Sequence, residues 1–174
     1  MTPVDLKEQQ RGINLKKAVQ ACDSYSRSCG VPCRVIDPMG ETLHLAVSRQ
    51  DQAHICELAG AVLPGGSRED RGVSRICANS HLYGCYQAER FGDQYIYFCP
   101  LGLTHWAAPI MLDNNVVGAL LGGPVLMVDP EDFLIEELVS KNGIHADFLP
   151  ELRRQINSVP VIETAQVNAL SELL

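Results

Sequence analysis

Cys77, His81 and Cys85 follow one another at intervals of four residues, the spacing that stacks side chains along one face of an α-helix. Thiolate and imidazole are borderline-soft donors that suit zinc, and thiolates alone hold iron–sulfur clusters. The chain has no C-x-x-C pair, and paired short spacings are what make a metal site readable from sequence. The competing reading is ordinary: cysteine is among the most buried residue types and packs as a small apolar side chain on a core-facing helix.

A second group lies at Cys99, Pro100, Gly102, His105 and Trp106, where one predicted strand leaves and the next enters. Such mouths are where sheets receive ligands. Gly102 permits positive φ or close backbone approach. Trp106, Tyr83, Tyr95 and Tyr97 offer flat apolar walls with a polar tip, as a small polyol pocket would want. Period-two alternation puts Tyr95 and Tyr97 on one side of their strand and Ile96 and Phe98 on the other.

Each of these residues also has a structural reading, with Trp106 as core packing and His105 as a hydrogen-bonded structural histidine. Gly118, Gly122 and Gly123 suit close packing, because no strand-to-helix turn carries the G-x-G-x-x-G spacing of a phosphate loop. Cys99 as nucleophile with His105 as base would make an enzyme, but the two sit six apart around a turn with no third orienting group. The expectation is a protein without catalytic activity.

The elements that must position these groups follow from periodicity and turn chemistry. Leu15, Ala18, Val19, Cys22 and Tyr25 recur at helical spacing, and Gly30 supplies a stop. CRVIDPMGETLHLAV reads as a hairpin turning at Asp37-Pro38-Met39-Gly40. Asp51 is placed to cap a short helix through Val62, followed by a loop over Pro64-Gly65-Gly66-Ser67 and Arg68 to Arg71. A helix from about Ser74 to Arg90 carries the Cys77/His81/Cys85 face.

QYIYFC, HWAAPIML and VVGALLGGPVLMV read as strands, the last two bending at Asp113-Asn114-Asn115. Asp129-Pro130-Glu131-Asp132 has the cap, the first-turn proline and the acids of a helix start, and Gly143 its stop. Helical tracts over Phe148–Asn157 and from Pro160 onward complete the chain. In the last, Ile162, Ala165, Ala169, Leu170 and Leu173 are expected to share a face.

The chain has 174 residues, 46% hydrophobic and 20% charged, enough for one buried core and too few to promise two domains. No window approaches a bilayer-spanning apolar run, and the N-terminus lacks a secretory signal's apolar stretch. Seven cysteines, an odd number at uneven spacing, do not make a secreted disulfide framework. A cytoplasmic location without membrane attachment is expected. The net charge of −7 is spread without a basic block, which argues against nucleic-acid binding by this segment.

Three stretches together resemble one family: RVIDPMGETL, the pairing of Ile55-Cys56 with Arg75-Ile76-Cys77, and YFCPLGLTHWAAPIMLDNNVVGALLGGPV. From Leu15 to Val128 they are similar to the PocR sensory domain, a ligand-binding module of bacterial regulators. The resemblance implies an α+β fold of PAS-like or GAF-like type, a central antiparallel sheet flanked by helices with a C-terminal signalling helix. Residues 1–158 would be the sensory unit and 159–174 the start of the linker helix.

The resemblance also implies a small hydrocarbon derivative such as a diol as ligand, for which the strand mouth and its aromatic walls offer Cys99, Gly102, His105, Trp106, Tyr83 and Tyr97 as contacts. It implies a downstream helix-turn-helix or histidine kinase as partner, and a sensor of this kind is expected to act as a homodimer. The cysteines that match the family pattern are Cys56, Cys77 and Cys99. The alternative function is therefore a redox or metal sensor, with zinc or iron–sulfur on these three thiolates and His81, Cys85 or a bound ligand as fourth partner.

Overall fold

The computed structural model describes residues 14–49, 54–63 and 75–174. Helix α1 (Leu15–Cys29) starts where the Asn14 side chain accepts the Lys17 N–H and ends at Gly30, whose φ of 71° turns the chain out of the helix. That left-handed conformation costs glycine nothing. Ala18, Cys22 and Tyr25 form its buried stripe. Strands β1 (Cys33–Ile36) and β2 (Thr42–Ala46) pair antiparallel. The Asp37 carboxylate closes their turn by accepting the backbone N–H groups of Met39 and Glu41, each at 2.9 Å.

Helix α2 spans His54–Val62 and α3 spans Arg75–Phe91. The expected cap at Asp51 and the expected loop from Pro64 to Arg71 lie outside the described residues. Strands β3 (Tyr95–Phe98), β4 (Thr104–Leu112) and β5 (Asn115–Val125) follow. Asp113 and Asn114 have φ of 49° and 60°, the mirror-image turn whose twist matches that of antiparallel strands.

The five strands form one sheet in the order β2-β1-β5-β4-β3, every pairing antiparallel. The architecture is α+β, as expected from the resemblance, and the five-stranded antiparallel sheet flanked by helices suits a PAS-like or GAF-like domain. One face packs on α1 and on the C-terminal helix α6 (Thr164–Glu172), with Cys33, Val35 and Trp106 meeting Cys22, Tyr25, Val167 and Leu170. The other face carries Ile36, Tyr97, Ala107 and Leu121 against Cys85 and Ala88 of α3. A third cluster joins α2 to Leu101, Leu103 and helices α4 (Asp132–Lys141) and α5 (Leu149–Ile156).

Two expectations about the C-terminal third need correction. Helix α4 begins at Asp132 with Glu131 at its cap and no capping side-chain bond, so Asp129-Pro130 precedes the helix instead of opening it. The chain leaving β5 is engaged in extended structure: Leu126 bridges in parallel to Val161, and the Ile162 N–H donates to the Leu126 carbonyl at 2.7 Å. The same bridge occupies residues 160–162 and Glu163 caps the helix, so α6 starts at Thr164 instead of Pro160. It also sets the helix's rotation: Val167, Leu170 and Ser171 face inward, whereas Ala165, Ala169 and Leu173 are exposed, Leu173 by 70%. Among the described residues no helix is long and apolar enough to cross a membrane.

Candidate functional site

Strand alternation decides which side chains meet the α3 side of the sheet. On β1, Cys33 and Val35 enter the core beneath α1, so Arg34 and Ile36 point to the opposite face. On β4, Trp106 joins the α1 side and His105 with Ala107 the other. Helix α3 lays Cys77, His81, Gly84, Cys85 and Ala88 on the sheet as one buried face. Gly84 is required there, because a Cβ at that position would fall within the Tyr97 ring.

Between these elements lies a cavity of about 20 Å³, lined by Arg34, Ile55, Cys56, Ala59, Cys77, His81, Cys99, Leu101, Leu103 and His105. That is room for about one water-sized molecule. The turn that delivers Cys99 is tight: the Gly102 N–H donates to the Cys99 carbonyl at 2.8 Å, and the Cys99 N–H to the Leu103 carbonyl at 2.9 Å. Gly102 adopts φ of 69° to make it.

Behind the cavity wall, His81 Nδ1 and the Tyr97 hydroxyl share a hydrogen bond of 2.7 Å. The His105 ring stacks on Tyr97 at 5.7 Å and meets His81 edge-on at 5.0 Å. Burial sets the protonation of this group. It holds the His81 pKa well below the ordinary imidazole value, reinforced by His105 and by the positive charge of Arg34. It brings His105 down to about 3, with Arg34 adding to the effect and a hydrogen bond that the ring donates to the Gly122 backbone opposing it. Burial pushes the Cys99 thiol up to about 12 and raises the Tyr97 phenol well above its usual range. At neutral pH these four groups are uncharged.

Arg34 is the exception. It is 5% exposed, and its one hydrogen bond among the described residues runs from Nη1 to Thr42 Oγ1 at 3.1 Å. Sequence reasoning passed over it. The available signal was a charged residue at the inward-alternating position of the short apolar strand Cys33–Ile36, whose four residues are all buried.

Of the residues singled out from the sequence, Cys56, Cys77, Cys99, His81 and His105 line this one cavity, and Tyr97 supports it from behind. Cys85 sits further along α3, packed with Ile36, Tyr97 and Ala107. Tyr83 is 53% exposed and meets Tyr95 edge-on at 6.2 Å. Gly102 faces a separate cleft of about 240 Å³ against α4, which shares Leu101 and Leu103 with the cavity. Trp106 is fully buried on the far side of the sheet, its indole N–H donating to Tyr25 Oη at 3.0 Å. Among the described residues, no three His, Cys, Asp or Glu side chains converge closely enough to hold a metal ion. The three thiols thus surround one space without forming the ligand cage that zinc or an iron–sulfur cluster needs.

Comparison with known proteins places this geometry in a lineage. The family model described as the sensory domain found in PocR matches residues 12–174. The chain belongs to the PocR sensory-domain family. A stretch of 101 residues is 30% identical to the regulatory protein PocR of Salmonella typhimurium, covering 58% of this chain and 32% of that protein. The chain therefore spans about a third of its relative's length over the matched region. No solved structure matches it. As a member of this family, the chain is a sensory domain of the kind found in a regulatory protein, and its cavity is the candidate place where a signal molecule is read.

Proposed function

We propose that this sensory domain binds a small hydrocarbon derivative, of the size of a three-carbon diol, in the cavity between β1, α2, α3 and the β3–β4 turn, and relays occupancy to α6. The observation that carries the reading is convergence: side chains from five separate parts of the fold meet at one space that mixes aliphatic walls with Arg34, His81 and His105. Most binding sites combine apolar lining with a few placed polar groups in this way. At about 20 Å³ the cavity must widen for such a ligand. Leu101 and Leu103, the wall shared with the 240 Å³ cleft, have space to move into.

A relay is supported by β4 itself. His105 lines the cavity, while its neighbour Trp106 is joined through Tyr25 to the Leu170 carbonyl of α6. A ligand shifts α6 only if it binds one of two arrangements better than the other. In this reading the domain works as a cytoplasmic dimer ahead of an effector such as a helix-turn-helix or a histidine kinase. It is a sensor, not a catalyst: a thiol held near 12 and an imidazole near 3 oppose the thiolate–imidazolium pair that nucleophilic catalysis needs.

A thermal-shift screen of small alcohols, diols, amines and short acids tests the proposal. Binding to the native state raises Tm in proportion to ligand excess over Kd. At least one compound class is expected to give a saturable rise that is lost when Leu103→Trp fills the cavity. A screen in which every class leaves Tm unchanged would sink the reading.

A further inference from the structure

Arg34 brings a permanent positive charge to a nearly closed apolar space. A guanidinium does not deprotonate in a protein and offers five N–H donors. Here it is 5% exposed, and one donor is committed to a neutral hydroxyl, that of Thr42 at 3.1 Å. No carboxylate among the described residues pairs with it. Asp37, three residues along, has Oδ1 occupied by the backbone N–H groups of Met39 and Glu41. Buried charges in folded proteins are paired, because an unpaired one loses its hydration without compensation.

The rest of the described cavity wall holds no carboxylate. His81 and His105 are neutral when buried this deeply, and the Cys99 thiol stays protonated. The other described lining residues are the thiols of Cys56 and Cys77 and the aliphatic Ile55, Ala59, Leu101 and Leu103. A planar, two-oxygen anion matches the guanidinium fork, and a short hydrocarbon tail matches the aliphatic wall. A phosphate fits less well: it carries more charge than one arginine neutralises, and among the described residues the cavity lining contains no second cation.

We infer that Arg34 anchors an anionic head group, so that the molecule sensed in this cavity is a short-chain monocarboxylate. The inference rests on the cavity being the ligand site, as proposed above. It departs from the diol expectation by replacing a terminal hydroxymethyl with a carboxylate.

Isothermal titration of the full chain at fixed ionic strength, with matched pairs, tests it: lactate against propane-1,2-diol, and propionate against 1-propanol. Chloride and sulfate are the inorganic controls. The carboxylate of each pair is expected to bind about tenfold tighter or better, the scale of a charge-assisted hydrogen bond. Arg34→Met should abolish that preference, and Arg34→Lys, which keeps the charge but loses the fork, should reduce it. Circular dichroism establishes that each variant is folded; if neither folds, the wild-type pairs still decide. Diols binding as tightly as their carboxylates would overturn the anion anchor and leave small-molecule sensing intact. A preference that survives in folded Arg34→Met, or sulfate binding as tight as lactate, would likewise overturn it. No binding by any member of the panel would overturn both this inference and the placement of the ligand site.

Discussion

The indole N–H of Trp106 donates to the Tyr25 phenol oxygen at 3.0 Å, and that phenol donates onward to the Leu170 carbonyl at 2.6 Å. Three elements distant in sequence, β4, α1 and α6, are thereby joined by one hydroxyl. Burial raises the Tyr25 pKa further above its ordinary value, so the phenol remains a donor at any physiological pH. Tyr25→Phe would leave a buried indole N–H and a helix carbonyl without partners. The expected cost is about 2 kcal/mol or more, since each orphaned polar group costs on the order of 1–3 kcal/mol, read as a lowered urea midpoint. Hydrogen exchange should show that ligand no longer protects α6 while affinity stays close to wild type. Full retention of α6 protection would show that the relay runs elsewhere.

Two glycines separate the effect of crowding from that of backbone conformation. A Cβ on Gly122 would fall inside the Trp106 indole, whereas one on Gly143 would meet nothing within 4 Å, though at a φ of 62°. Gly143→Ala should therefore cost only the left-handed strain, about 1–2 kcal/mol. Gly122→Ala must displace a fully buried tryptophan and should cost about 3 kcal/mol or more, the upper range for overpacking. Equal denaturant midpoints for the two variants would contradict the packing described for Trp106.

The contrast shows what the sequence could and could not convey. Elements with strong local signals were legible: the α1 stripe ending at Gly30, the Asp37 turn, the Asp113-Asn114 bend and the buried face of α3 all follow from periodicity or turn chemistry. The convergence of Cys56, Cys77 and Cys99 is legible only through family resemblance, because it depends on how α2 and α3 dock on the sheet. The strand mouth and a flat aromatic ring make Trp106 a pocket candidate along with His105, yet consecutive strand residues face opposite ways. The rotation of α6 was out of reach because it is set by the long-range bridge from Leu126 to Val161. Arg34 escaped notice because its consequence, a charge without a counter-charge, exists only once the neighbours are in place.

The thiol at Cys99 carries a kinetic expectation. With its pKa near 12, only about one thiol in ten thousand is ionised at pH 8, against roughly a quarter for an unperturbed cysteine. Native iodoacetamide labelling of Cys99, followed by peptide mass spectrometry, should run about a thousandfold slower than in urea. Labelling at comparable rates in both would mean an activated thiol and would reopen the nucleophile reading.

Acid should destabilise the domain through His81 and His105 before its carboxylates titrate. Both imidazoles are buried neutral, with folded pKa values depressed below the 6.5 of an unfolded chain, His105 to about 3. Below pH 6.5 the unfolded chain binds protons that the folded one refuses, so stability is full above that pH and falls as pH drops toward the folded values. The slope is about 1 kcal/mol per pH unit for each histidine. Most carboxylates titrate below pH 5, which leaves the interval from pH 6.5 to 5 to the imidazoles. Urea midpoints across that interval should fall steadily for the wild type, and His105→Gln should show about half the slope. Arg34→Met should shallow it as well, because the guanidinium helps hold both rings neutral. A midpoint flat across the interval would mean that the two rings are hydrated and able to protonate in the folded state, and the cavity could not then be the dry, singly charged space on which the role of Arg34 depends.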